Sequence, residues 1–301
     1  MIGFFYCTNR LESCADKVYD YNARGVNELI DKKVEINEIK RILAYEEKLI
    51  KNNPQSVENP VGIDLKTVNK MDESKYLKVL QSAFEGSFRQ YLMNPVDSKE
   101  RLKGIVFDYL DIHSFSQIKR LPLRQLERTA KKNLFKREVF TFFEGAVFGL
   151  GGIGSAAAEI PLLMRQMYNQ VEQIAITFGM DPFQYVERVY IVKVIMLSMC
   201  NSQKEKRELV NELHAIEILI KSGKTTKIYE QSSYHYDWLA SQASIGTSKA
   251  ILSAKLIQSI PVLGMGMGAV SNLTLMSRIS QVALNCYKRR FLERKWHYNK
   301  L

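Results

Sequence analysis

Glu144, Glu159 and the adjacent pair Glu187-Arg188 stand out because they are charged residues inside otherwise apolar segments. A carboxylate carried into an apolar interior costs several kcal/mol unless a cation or hydrogen-bond donor meets it. Two arrangements answer that need. One is a set of salt bridges that fixes how helices register against one another. The other is a polar pocket in which Glu144, Glu159, Glu187 and Arg188 hold a ligand or headgroup between helices.

Other constellations are weaker. Ser233-Tyr-His235-Tyr-Asp237 contains the three residue types of a serine hydrolase. Near neighbours in one short segment point in different directions, however, and cannot line up nucleophile, base and orienting acid. Tyr234, Tyr236 and Trp238 in the same stretch read better as an aromatic packing or interfacial patch. His113, His214 and His297 are isolated, and no H-E-x-x-H, paired Cys/His set or P-loop occurs, so no catalytic residue, metal or cofactor is expected. Gly149-Leu-Gly151-Gly152-Ile-Gly154 matches the spacing of the dinucleotide fingerprint. That fingerprint needs a buried strand before it and an acidic residue ending a second strand. Here a charged helical stretch precedes it instead, and Glu172 falls within a helical pattern.

The segments that must position these residues read as helices. Apolar residues recur at spacings of three and four throughout, and period-two alternation is scarce, so the expected class is all-α. The expected architecture is a compact multi-helix bundle in which two glycine-rich apolar helices pack together. Those stretches are 144–154 and 260–270, where the small residues let backbones approach closely. Residues 11–50 read as an amphipathic helix pair or one long helix. The polar stretch 51–60, with Pro54 and Pro60, reads as a linker. Helices are expected over 74–91, ending before Asn94-Pro95, over 99–110, and from Leu121-Pro122 to about Lys136. A helix from Leu162 is expected to stop at Gly179 in a left-handed cap. Asp181-Pro182 is expected to open the next, running to Cys200. One more ends near Lys221, and two close the chain.

Charge is placed unevenly. The chain has 301 residues and a formal net charge of +11. Lys119 to Arg137, including Lys131, Lys132 and Lys136, carries about +7. Arg278 to Lys300, including Arg289, Arg290 and Arg294, carries about +6. The remainder is therefore close to neutral, and the excess sits beside the two glycine-rich stretches. Together with Trp296, these residues are the candidate contacts with an anionic surface. Nucleic acid is disfavoured, since no helix-turn-helix or RNA-binding motif accompanies them. The uncharged stretch between Lys255 and Arg278 approaches spanning length but holds Gln258, Pro261, Asn272 and several glycines, so surface association is expected over insertion. Four cysteines without a C-x-x-C pair, and no recognisable leader segment, point to a reduced, cytoplasmic chain.

Several of these pieces occur in an order that resembles the EcsC protein family. They are Phe115 to Leu126, Glu144 to Gly154, Glu159-Ile-Pro-Leu-Leu163, Ile174 to Gly179, Val186 to Val189, Ile260-Pro-Val-Leu-Gly264, Gly268, Asn272 and Arg289 to Arg294. Glu159 stands where the family usually has Asp. The resemblance covers roughly residues 75–296, which divides the chain into an amphipathic helical extension (1–74) and an EcsC-like helical domain (75–301). It implies a bacterial protein associated in some members with an ABC-type exporter, and no established catalytic chemistry. The expected function is accordingly a non-enzymatic protein peripheral to the cytoplasmic face of the membrane, bound to anionic lipid or a transporter component. The alternative is a cytosolic hydrolase or ligand-binding protein built around Glu159, Glu187 and Arg188.

Overall fold

The computed structural model describes residues 26–51, 73–93, 98–132, 152–258 and 264–298, and every regular element among them is helical. In chain order these are α1 (Val26–Lys51), α2 (Glu73–Met93), α3 (Ser98–Leu110), the short α4 (Phe115–Ile118) and α5 (residues 123–132). There follow α6 (Gly152–Thr177), α7 (Tyr185–Met199), α8 (Gln203–Lys221), α9 (Thr226–Glu230), a 3-10 turn (Ser232–Tyr234), α10 (Tyr236–Gln258) and α11 (Gly264–Tyr298).

α7 is the axis of the bundle. It is apolar nearly all round, and almost every residue from Val186 to Met199 is buried, as a helix enclosed on all sides must be. α2, α6, α8, α10 and α11 surround it. α2 supplies large side chains at helical spacing, with Phe84, Phe88, Tyr91 and Leu92 all 1% exposed or less. Tyr91 stacks on Tyr168 of α6 at 3.7 Å between centroids and donates its hydroxyl to the buried Glu172 at 2.8 Å.

α1, which the sequence sets apart as an extension, is built into the same core. Ile39, Ile42 and Ile50 are buried, and the helix packs against α8 and α11. It is one helix over the described residues. The expected linker at 51–60 lies beyond its last residue and outside the described residues.

Two helix ends show why particular residues stop them. After α6, Met180 N–H bonds to the Ala175 carbonyl at 2.9 Å and Gly179 N–H to that of Ile176 at 3.0 Å. This double bond pattern needs a left-handed residue at Gly179, whose φ is +82°. A side chain there would be strained by the backbone angle, although its Cβ would only touch Ile118 at 3.4 Å. The cap expected at Gly179 is therefore present. α8 ends in the same way at Gly223, with φ +67°.

Two helix starts differ from expectation. α6 runs through Pro161 from Gly152, whereas the sequence pattern places its start after Pro161. The proline removes one amide donor, and tertiary packing carries the helix across the gap. The Asp181 carboxylate accepts Phe183 N–H at 3.0 Å, forming a side-chain turn ahead of the helix, and α7 begins at Tyr185 with Gln184 as its cap residue. The expected helix start at Asp181-Pro182 is thus a turn that aims α7.

α6 and α11 pack together. Gln170 joins them by donating to Ser280 and, at 3.4 Å, to the Met276 carbonyl. Gly145 and Gly149 lie outside the described residues, as do any contacts the glycines at 264–268 make. No helix among the described residues is long and apolar enough to cross a membrane.

Candidate functional site

The charged residues converge on the last turns of α11. Arg290 is 1% exposed and uses all three of its nitrogens. Nη1 and Nη2 grip the two oxygens of Glu187 on α7 at 2.7 and 2.9 Å, and Nε donates to Glu217 on α8 at 2.6 Å. Its guanidinium also lies 3.9 Å from the Tyr190 ring centroid. Tyr287 adds a hydroxyl donor to Glu187 at 2.7 Å. Glu217 receives a second arginine, Arg294, through Nε at 2.8 Å and Nη2 at 3.1 Å.

A parallel set faces α1. Arg289 bonds to Glu46 at 2.6 Å and to Glu293 at 2.7 Å, and Lys221 of α8 reaches Glu293 at 2.5 Å. Lys288 pairs with Glu38, and Lys295 with Glu35 at 2.6 Å. Trp296 donates its indole N–H to the other Glu35 oxygen at 3.0 Å. One helix thus collects carboxylates from α1, α7 and α8, and none of the Arg290, Glu187 or Glu217 polar atoms is left buried without a partner. Satisfied arrangements of this kind fix register, because sliding α11 by one residue would break every pair.

The electrostatics follow from this geometry. Burial alone would raise Glu217, but Arg290, with Arg294 and Lys221, holds it below the usual carboxylate range. Glu46 and Glu293 behave alike, burial being outweighed by Arg289 in both, with His214 assisting the first and Lys221 the second. Arg290 is pushed well above its ordinary value, Glu187 and Glu217 outweighing its burial.

A carboxylate whose folded pKa lies below its unfolded value contributes stability that is present above the unfolded value and lost as pH falls through the folded one. Glu46, Glu217 and Glu293 all have that sign. The urea midpoint should accordingly hold steady near neutrality and drop as pH falls below about 4.5. A midpoint unchanged down to about pH 3 would contradict the depressed carboxylates.

The candidate residues are distributed as follows. Glu187 lies in the network described above. Arg188, one position on, faces elsewhere: its Nη1 donates to the Phe183 carbonyl at 3.0 Å, and its guanidinium lies 5.6 Å from the Tyr185 ring centroid. The two do not share a partner. Glu144 and the Glu159 side chain fall outside the described residues. Arg289 and Arg290 are buried against carboxylates, Arg294 gives two nitrogens to Glu217 while staying partly exposed, and Trp296 is turned toward Glu35.

The first basic run is different. Leu123, Leu126 and Ala130 of α5 are buried while Lys119, Arg120, Arg124, Arg128, Lys131 and Lys132 are exposed. Lys131 meets the half-buried Glu127 at 2.6 Å, which Lys288 also reaches at 3.5 Å, and Lys132 lies 5.1 Å from the Tyr109 ring centroid. Lys136 and Arg137 lie outside the described residues. Among the described residues no group of three His, Cys, Asp or Glu side chains is placed to hold a metal.

The EcsC protein family matches residues 36–292, from within α1 to the buried end of α11. The chain belongs to the EcsC protein family. The match begins well before residue 75, and this agrees with the ion pairs that Glu38 and Glu46 make to α11. Among curated relatives, the chain is 31% identical over 189 residues to a Bacillus subtilis protein described as uncharacterized, YdbA, covering 60% of this chain and 64% of that one. It is 22% identical over 173 residues to Protein EcsC of the same organism, covering 58% of this chain and 66% of that one. The matched part thus spans just under two thirds of each relative. No solved structure matches.

The network is not legible in the sequence because its partners lie far apart along the chain: Lys288 and Glu38 are 250 residues from one another. A signal was nevertheless present. Glu35, Glu38 and Glu46 fall on the same helical face as Ile39 and Ile42, and Lys288, Phe291 and Lys295 share a face of α11. Charges of opposite sign on two apolar faces point to each other.

Proposed function

We propose that this EcsC-family chain is a non-enzymatic, membrane-associated protein that docks on the anionic cytoplasmic surface of a membrane through the basic face of α5. The observation that carries this reading is the contrast between the two basic runs. The α11 run is paired with carboxylates of the bundle, whereas Arg120 just ahead of α5 and Arg124, Arg128 and Lys132 on it are presented to solvent above a buried apolar face. An exposed cationic row on a rigid helix is drawn to anionic headgroups with about 1 kcal/mol per Lys or Arg near the surface, decaying over a Debye length. A transporter component with an acidic cytoplasmic face would meet the same charges.

The alternative pocket around Glu159, Glu187 and Arg188 is less well supported, since Glu187 has both oxygens occupied by Arg290 and Tyr287. The test is flotation of the intact chain with vesicles at low salt. Vesicles containing anionic lipid should carry the protein upward, neutral vesicles should not, and salt of about 0.5 M should release it. No flotation with anionic vesicles at low salt would overturn membrane docking.

A further inference from the structure

A cavity of about 130 Å³ lies where α4, the α6–α7 turn and the end of α11 meet. Its walls are Phe115 and Ile118 of α4, Phe178 and Met180 of the turn, and Phe291 of α11. Ile118, Phe178, Met180 and Phe291 are all 4% exposed or less, while Phe115 is half-buried and Lys119 exposed, so this is a partly open pocket whose inner wall belongs to the core. The backbone at Gly179, held by its left-handed φ and the paired bonds that close α6, places Phe178 and Met180 on either side.

The other lining residues are Lys119, Arg294 and Lys295, with no carboxylate among them. Arg294 commits Nε and Nη2 to Glu217, and its Nη1 has no partner among the described residues. Lys295 is held by Glu35. Both side chains remain 26% exposed, so the edge is open to solvent while the walls are apolar.

An apolar pocket edged by Lys119, by the Nη1 of Arg294 and by Lys295 suits one kind of molecule. An uncharged apolar solute would leave the rim unused, and a bare inorganic anion would leave the walls unfilled. A chamber near 150 Å³ accommodates a benzene-sized body, which sets the scale of what enters. We infer that this cavity binds a small amphiphilic anion, with a compact apolar body of about benzene size between Phe115, Phe178 and Phe291 and a carboxylate or phosphate at Lys119, Arg294 and Lys295. Such an anion could come from a free solute or from the exposed end of a membrane amphiphile. The inference does not depend on membrane docking, since the chamber is formed by the fold alone.

The test uses the intact chain without vesicles and titrates benzoate by calorimetry or ligand-observed NMR at low salt. Benzoate should bind saturably, and benzyl alcohol, which has a similar body without the charge, about tenfold more weakly. Lys119→Gln, at an exposed position, should weaken benzoate several-fold and leave benzyl alcohol unchanged. Phe115→Ala, at a half-buried wall, should shift preference toward the larger naphthoate. Absence of saturable binding would overturn the inference. So would equal affinity for acid and alcohol, or indifference of benzoate to both variants. Competition of benzoate by anionic vesicles identifies the membrane as the source; competition by soluble phenyl phosphate alone identifies a free solute. Failure of flotation leaves this result untouched, so the two readings fail separately.

Discussion

Arg290→Met is expected to destabilise the protein by about 3–5 kcal/mol, because it removes the cation shared by two buried carboxylates while leaving both in place. Glu187 would retain only the Tyr287 hydroxyl, and Glu217 would fall back on Arg294 and the more distant Lys221. Methionine is close in volume, so packing loss contributes little and the charge change dominates. Against a typical total stability of about 5–15 kcal/mol, the variant stands near the edge of folding.

Two companions keep the measurement interpretable. Arg290→Lys retains the charge but cannot reproduce a fork that grips both Glu187 oxygens while reaching Glu217, so its cost should be intermediate. Arg290→Met combined with Glu187→Leu removes the stranded charge as well, and should recover part of the loss. Urea unfolding of the three reads the order directly. A cost for Arg290→Met under about 1 kcal/mol would mean the network does not hold α11 in register.

How far the sequence foretells this arrangement depends on the range of the interactions concerned. Helix ends were legible where a single residue decides them: Gly179 stops α6 because its left-handed φ is unfavourable for other residues, and α2 ends at Met93 ahead of Asn94-Pro95. Pro161 was misleading because the loss of one hydrogen bond is a local cost, and the packing of α6 against α2, α3 and α11 overrides it. The unusual weight of charge at 288–295 was visible as well, but its direction was not. A charge count along the chain cannot register that Glu35, Glu38 and Glu46 lie opposite in space, so a neutralised internal cluster and an exposed basic patch read identically. Glu187 stands in the sequence as a carboxylate within an apolar segment, which by itself calls for a partner. The partner was Arg290 from α11, not Arg188 beside it, because adjacent helical residues diverge by about 100° and rarely serve the same contact.

That distinction between internal and external charge gives the second large effect. Arg120→Gln, Arg124→Gln and Arg128→Gln together are expected to lower partitioning onto anionic vesicles by about a hundredfold at low salt, taking about 1 kcal/mol for each cation lost from the surface. None of the three makes an ion pair among the described residues, and all are exposed. The triple variant should therefore unfold within about 0.5 kcal/mol of the parent for each site. The converse holds for α11. Arg294→Gln removes a charge close to the protein surface, but one that gives Nε and Nη2 to Glu217 and lies away from α5, so it should lower stability and leave vesicle binding nearly unchanged. If the triple variant binds as tightly as the parent, or if Arg294→Gln weakens binding as strongly as the triple variant, the docking face is not α5. Measuring stability and partitioning on the same samples separates the two roles of arginine in this chain: one holds α11 in register, and the other is left free to meet an anionic surface.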